Sequence, residues 1–466
     1  MRALLLSTYE LGRQPFGLAS PAAWLRRAGV EVRVCDLARQ QLDEPAVREA
    51  DVIAFHLPMH TATRLALPVL DRVRAANPSA RLAAYGLYAP VNGTLLRARG
   101  VEGVFGAEFE GDLVRFVTGA ADATRHESPG PVRSSPATSG RPPQPRADAI
   151  PRLAFIVPDR DGLPSLDRYA ALQEGSTRRV AGYTEASRGC KHLCRHCPVV
   201  PVYRGQFRIV PPDVVLADIR AQVERGATHV TFGDPDFLNG PAHALRVADA
   251  VHREFPALTY DVTIKVEHLV RHSAMLPRLR ETGCLFVTSA VEDVNDRILA
   301  LLEKRHTRAD LERAVEACRS AGLALTPTLV PFTPWTTFNG YCGLLQTMAG
   351  LDLVESIAPV QWSIRLLIPE GSRLLEVPEV RARVRPFDPT ALAYPWTHAD
   401  PRIDQFQREI TALVGRSLIA PPSEVFAQVS ALAHERAGLA TRPRIPDRGR
   451  GARGASVPYL NEPWYC

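Results

Sequence analysis

The chain has 466 residues, 45% of them hydrophobic and 23% charged, the composition of an ordinary globular protein long enough for two or three domains. It holds no run of about 18 apolar residues, which argues against a membrane-spanning helix, and eight cysteines in so long a chain argue against a disulfide framework. The net charge of +6 permits an anionic partner without demanding one, because a solvated basic surface accounts for it.

The first residues are too short in their apolar part for a signal peptide and predict a strand over 3–7. A helix with small residues on one face follows over 19–29, closed by Gly29. Strands are predicted over 30–35, with period two, and over 51–56. A helix over 66–76 and strands over 80–86 and 101–106 continue the alternation. Residues 1–120 therefore predict an α/β domain, an open doubly wound (Rossmann-like) parallel sheet with helices on both faces. Such sheets bind ligands at the carboxyl ends of their strands. Residues 121–150 are rich in proline, serine and arginine without apolar periodicity, and predict a flexible linker.

The alternation resumes in residues 151–370. A strand over 183–187 feeds a loop carrying Cys190, Cys194 and Cys197. Further strands are predicted over 228–232, 258–265, 284–289, 323–330 and 359–368, with helices over 211–225, 241–254, 275–281, 293–303 and 308–321. Six strands with helical crossovers predict a partial (βα)6 TIM-like barrel, with its chemistry at the C-terminal strand ends. Residues 371–440 read as a helical extension, with helices over 402–414 and 423–436, and residues 441–466 as an Arg/Gly-rich tail ending in Cys466.

The three cysteines are spaced Cys-x3-Cys-x2-Cys. Thiolates this close suit soft metals and iron–sulfur clusters. A zinc site normally takes four protein ligands, and the next cysteine is Cys284. The loop reads as an open iron–sulfur site with one iron left for a non-protein ligand; a structural zinc loop completed by His192 or His196 is the alternative. With this spacing, after a strand and before a βα series, the chain resembles the radical S-adenosylmethionine (SAM) enzymes. The resemblance implies a [4Fe-4S] cluster on Cys190, Cys194 and Cys197, with SAM bound through its amino and carboxylate groups to the free iron. It also implies reductive cleavage of SAM to methionine and a 5′-deoxyadenosyl radical. The family usually has an aromatic residue before the third cysteine; here it is His196.

Three strand-end segments carry the rest of the resemblance. Gly233, Asp234 and Pro235 match the segment whose backbone accepts hydrogen bonds from the SAM amino group, and Asp236 and Asn239 are candidates to face substrate. Ser289 and Glu292 match polar positions that contact the SAM carboxylate and ribose hydroxyls; a carboxylate accepts from both hydroxyls of a diol. Lys265 is either a cation for the SAM carboxylate or a solvated strand-end lysine. Phe332 and Trp335 either cover adenine or substrate or pack against the first domain, and Arg365 meets either an anionic substrate group or a core carboxylate.

The first domain resembles the cobalamin-binding domain that precedes many radical SAM domains. The matching residues are Ser20 to Leu25, the turn from Leu57 to His60, Tyr85 with Gly86, and Glu108 with Glu110. The Asp-x-His-x-x-Gly loop that supplies an axial histidine in many cobalamin proteins is absent after the first strand. The domain either binds cobalamin without that ligand or only caps the barrel, and His56 and His60 either line the pocket or are satisfied polar groups.

Together these features imply a radical SAM enzyme that modifies an unidentified substrate, cobalamin-dependent methyl transfer being one form that modification can take. A radical rearrangement or cyclisation without cobalamin, and a zinc-binding module, are the alternatives. The expected partners are a small-molecule or peptide substrate and an electron donor such as flavodoxin or ferredoxin, with neither membrane nor nucleic acid. A reducing cytoplasm is the expected setting. The aromatic tail with Tyr459, Trp464, Tyr465 and Cys466 resembles that of a radical SAM group whose chains end in Cys-Cys-Ala-Glu-Pro or Cys-selenocysteine-Ala-Glu-Pro. Read so, the gene is expected to continue past Cys466 through a selenocysteine codon.

Overall fold

The computed structural model describes residues 1–119, 150, 153–417, 420–439 and 459–460. Its first sheet is built from β1 (Arg2–Ser7), β2 (Glu31–Asp36), β3 (Val52–His56), β4 (Arg81–Tyr85) and β5 (Gly103–Phe105), all parallel, in the order β2-β1-β3-β4-β5. The alternation of side chains along a strand divides these residues between two cores. Leu4, Leu6, Ile53, Phe55 and Leu82 pack on Leu70 and Val73 of the helix His60–Ala76. Ala3, Leu5, Val52, Ala54, Ala83 and Tyr85 face the other way, onto Leu18, Ala22 and Leu25 of Phe16–Arg27 and Leu113 of Glu110–Thr118. Burial on both faces is why these strands are nearly continuous apolar runs.

Two helices start earlier than their sequence suggests. Phe16–Arg27 holds Pro21 and His60–Ala76 holds Pro68 in their interiors. Proline removes the donor for the carbonyl four residues back. At Gly17 that carbonyl accepts instead from the Tyr85 hydroxyl at 2.8 Å, so the helix continues.

The second sheet has the order β13-β12-β11-β10-β7-β6-β14. An antiparallel hairpin, β6 (Ala171–Glu174) and β7 (Thr177–Thr184), opens it. A two-stranded ribbon, β8 (Ser187–Gly189) with β9 (Phe207–Ile209), flanks the cysteine loop. Then β10 (His229–Phe232), β11 (Thr259–Thr263), β12 (Cys284–Glu292) and β13 (Ala324–Leu329) run parallel to β7. Pro212–Glu224, Pro241–Glu254 and Arg308–Ser320 are among the crossover helices. The sheet curls into a partial barrel.

The sixth parallel strand expected over 359–368 does not form. Pro359–Ser363 is a 3-10 turn, followed by one parallel bridge between Phe332 and Arg365. Proline starts the turn, and the Gln361 side chain accepts from the Leu329 amide at 2.8 Å, taking the donor at the end of β13. The helices Pro401–Arg416 and Pro422–Ala437 pack Phe406, Ile410, Val425 and Phe426 into the barrel's own core. The helix Phe338–Gly350, which the sequence reading missed, shares that core through Tyr341, Leu344 and Leu345. Tyr459–Leu460 is β14, antiparallel to β6. The linker reading and the readings of Trp464, Tyr465 and Cys466 lie outside the described residues.

Candidate active site

The cysteine loop starts where β8 ends. Cys190 and Cys194 are buried and Cys197 is half-buried. The loop is braced from several sides. The Cys197 amide donates to the Cys194 carbonyl at 3.2 Å, and the Arg195 amide to the Leu302 carbonyl at 3.0 Å. Asn239 lies with its Oδ1 3.9 Å from Cys190 Sγ and accepts from the Lys191 amide at 3.3 Å. Asn239 thus serves the loop and does not stand free for substrate.

Burial pushes the Cys197 thiol up to about 12, and the neighbouring Cys194 and Cys190 push the same way. Three thiols this close release their protons only against positive charge. The Lys265 ammonium lies 3.7 Å from Cys194 Sγ, and buried Lys304 interacts with Cys194 and Cys197. The other described cysteines, Cys35, Cys284, Cys318 and Cys342, sit in the apolar cores. His196 turns to Glu292 at 3.0 Å. Three thiolates, adjacent lysines and no fourth thiol beside them, the other described cysteines lying in the apolar cores, fit a cluster with one open iron.

The other expected residues lie at the C-terminal strand ends around this loop. Gly233 and Pro235 line a cavity. A Cβ at Gly233 would lie 1.8 Å from the Tyr183 hydroxyl, so any side chain there requires the buried Tyr183 ring to move. The Asp234 side chain is not free: it accepts from the Ala186 amide at 2.9 Å and the Ser187 hydroxyl at 2.5 Å, which ties β10 to the start of the loop. Ser289 is fully buried, and its hydroxyl has no hydrogen-bond partner among the described residues, an orphan that a bound ligand would satisfy. Glu292 has φ +66° and accepts from His196 and, at 3.1 Å, from Lys304. Burial opposes its charge, but Lys304 and His196 outweigh burial and hold the carboxyl well below the usual range. Lys265 is buried, just past β11 and not on it. Phe332 packs on Tyr341 and Phe406 in the barrel core. Arg365 takes the core carboxylate, Asp404 at 2.9 Å, and stacks on Trp396.

The cavity lies between the two sheets. Glu10, His56, Gly86 and Phe109 face it from the first domain, and Tyr183, Gly233 and, on the β8 ribbon, Arg188 face it from the other side. His56 stacks on Tyr85 with ring centroids 5.3 Å apart, and its Nδ1 is 3.5 Å from Glu10 Oε2. His60 points elsewhere, to the Ala391 carbonyl at 2.6 Å.

Sequence reading missed Arg188. Its guanidinium is buried and sits 2.7 Å from Glu110, 2.7 Å from Glu185 and 4.0 Å from Glu108. Ser20 donates to Glu110 at 2.6 Å and Tyr203 to Glu108 at 3.2 Å. One cation faces three carboxylates, so burial pushes Glu108 up to about 7 although Arg188 opposes it. The signal was an arginine two residues before the first cysteine and an unpaired Glu-x-Glu far away in sequence.

Comparison with known proteins bears on this geometry. The Radical SAM superfamily model matches residues 184–337. The tRNA-2-methylthio-N(6)-dimethylallyladenosine synthase of Chlorobium phaeobacteroides is 26% identical over 187 residues, 38% of this chain and 40% of that relative. The hopanoid C-3 methylase of Methylococcus capsulatus is 24% identical over 340 residues, 71% of this chain and 64% of that relative. The chain thus spans from two fifths to just under two thirds of these relatives' lengths. The structure of the radical S-adenosylmethionine methyltransferase TsrM from Kitasatospora setae, with cobalamin and a [4Fe-4S] cluster bound, matches with TM-score 0.63 at 15% identity, covering 93% of this chain and 88% of that one. The cobalamin-dependent S-adenosylmethionine radical enzyme OxsB, with aqua-cobalamin bound, matches with TM-score 0.68 at 12% identity, covering 93% and 71%. At these identities the likeness is one of fold. No helix among the described residues is long and apolar enough to cross a membrane. Residues 184–337, with the three-cysteine loop, are a radical SAM domain, which implies a [4Fe-4S] cluster and SAM, set in the fold of cobalamin-dependent radical SAM enzymes.

Proposed function

We propose that this chain holds a [4Fe-4S] cluster on Cys190, Cys194 and Cys197, SAM beside it and cobalamin in the cavity between the sheets, and methylates a small-molecule or peptide substrate. The observation that carries this reading is the cavity itself. It joins the C-terminal ends of both sheets, where each fold binds its ligand, and Gly189 and Arg188 of the cysteine segment form part of its wall. When bound, the cluster and SAM supply a reductively generated organic radical, and cobalamin supplies a transferable methyl group.

The chain's own residues bind and orient. Lys265 and Lys304 offset the charge of the thiolates. Gly233 brings backbone carbonyls close to a ligand, and the Ser289 hydroxyl is free to donate to one. With Glu292 held by Lys304 and His196, its role is to fix the loop's His196 and only secondarily to meet a ribose. Arg188 ties the first domain's Glu110, at the start of the helix Glu110–Thr118, to the cysteine segment at 2.7 Å. An electron donor would approach the exposed loop residues Lys191 and Leu193.

The test is anaerobic reconstitution of the full chain with iron, sulfide and hydroxocobalamin, followed by SAM and a reductant. The expected result is about four iron per chain, retained corrinoid and release of 5′-deoxyadenosine. Release without corrinoid retention would turn the reading to a cobalamin-free radical rearrangement or cyclisation. Neither release nor iron would remove it.

A further inference from the structure

His192, Asp236 and His268 come together beside the cysteine loop from three segments. His192 lies on the loop, between Cys190 and Cys194. Asp236 follows β10 and caps the turn Phe237–Asn239 with Oδ1, which accepts from the Leu238 amide at 3.2 Å. His268 is on the helix Val266–Arg271, which follows β11. One donor atom from each residue lies within 4.8 Å of the other two.

The second observation is that these donors are buried and lack hydrogen-bond partners among the described residues. The residues are 6%, 0% and 6% exposed. Neither ring nitrogen of His192 has a hydrogen-bond partner among the described residues, and the same holds for His268 Nδ1 and Asp236 Oδ2. Asp236 Oδ2 is 2.6 Å from His268 Nδ1 and 3.8 Å from His192 Nε2. The closer pair is in ion-pair contact without hydrogen-bond alignment. The two rings stand 4.9 Å apart, inclined by 60°. A simple proton shared by His268 and Asp236 would still leave a buried imidazole with two idle nitrogens. Native interiors rarely leave such groups without an ion or a water.

We propose that His192, Asp236 and His268 bind one divalent first-row transition ion, of the zinc or ferrous class, at a site separate from the cysteines. Two imidazoles and a carboxylate are the donor set such ions take, with positions left open for solvent. Glu267 supplies the supporting contact. Its Oε2 lies 3.5 Å from His192 Nδ1, close enough to steady the ring once an ion fixes Nε2, though the two make no aligned hydrogen bond. Lys265 lies between the two sites, 3.8 Å from Glu267 and 3.7 Å from Cys194. The ion would tether the cysteine loop to the ends of β10 and β11. It shares no donor with the cluster, so this proposal stands independently of the proposed function.

The probe is zinc itself. The full chain is reconstituted anaerobically, desalted, exposed to stoichiometric Zn²⁺ and desalted again, and iron and zinc are counted in the same sample. About one zinc per chain is expected in addition to the iron, and H268A and D236N should keep the iron and lose the zinc. Zinc absent from the native chain, present equally in both variants, or gained only as iron is lost would overturn the site. X-ray absorption at the zinc edge of the native chain decides the matter even if a variant fails to fold. Nitrogen and oxygen ligands alone support the site, and a sulfur shell at about 2.3 Å overturns it. The iron count by itself reports whether the cluster reading fails.

Discussion

At φ +75° Gly189 turns the chain from β8 into Cys190, and a Cβ there would lie 2.4 Å from the Tyr203 ring and 2.5 Å from the Gln206 carbonyl. A backbone carbonyl cannot swing away as a flexible side-chain tip can. Gly189→Ala is therefore expected to cost at least about 2 kcal/mol and to hold iron after reconstitution below half the native content, measured as iron per chain. Native iron content would show that the turn tolerates a side chain. Lys304 gives a second prediction at this scale. It is buried against Glu292 at 3.1 Å, so Lys304→Met leaves a buried carboxylate short of its main partner, at about 3–5 kcal/mol. The pH dependence follows from the sign of the shift. A carboxyl depressed in the folded state stabilises above its unfolded value of about 4.3 and loses that contribution as pH falls below it. Denaturant melts from pH 6 down to pH 3 should therefore fall more steeply in the native chain than in the variant. The positions of the cysteines, Gly233, Ser289 and Glu292 at the loop and strand ends were legible in the sequence, because strand-end residues with suitable chemistry stand out there; their partners were not. Asn239, Arg188 and His268 were not, because their partners lie 32 to 168 positions away in the chain.

Among elements, the junction of the first domain with β8 places one buried arginine against three carboxylates. Glu108 rises from an ordinary 4.5 to about 7 in the folded state. An acid raised on folding takes up a proton, so its share of stability is whole below 4.5 and is lost as pH climbs through about 7. Glu108→Gln keeps an acceptor for Tyr203 and removes that loss. It is expected to stabilise the chain by about 1–2 kcal/mol at pH 8 and to change little at pH 4, read by melting at both values. Equal effects at the two pH values would contradict the raised carboxyl. Arg188→Met is expected to cost about 3–5 kcal/mol, because it strands buried carboxylates. Element types followed well from apolar periodicity, and the first sheet's strands begin and end within two residues of their expected limits. Two kinds of element did not. Internal prolines hid the true starts of Phe16–Arg27 and His60–Ala76. The apolar run at 359–368 resembles a strand but coils, because a side chain, Gln361, caps β13.

At the scale of the whole molecule, the two sheets turn their C-terminal strand ends toward one cavity, and the cysteine loop lies at its wall. Neither sheet alone makes that enclosure. The C-terminal extension packs away from it, with Phe406 and Phe426 in the barrel core, and Ala391 bonded to His60 of the first domain. The partial-barrel architecture was readable from the βα alternation. The joining of the two sheets was not, because it rests on Arg188, Ser20 and Glu110 meeting across the fold.

The most direct test compares the native chain with Cys194→Ala, both reconstituted anaerobically and given SAM and a reductant. The account predicts 5′-deoxyadenosine from the native chain and a loss of at least about a hundredfold in the variant, since two thiolates cannot hold the cluster in place. Undiminished release from the variant, or none from a native chain carrying its full iron, would contradict it.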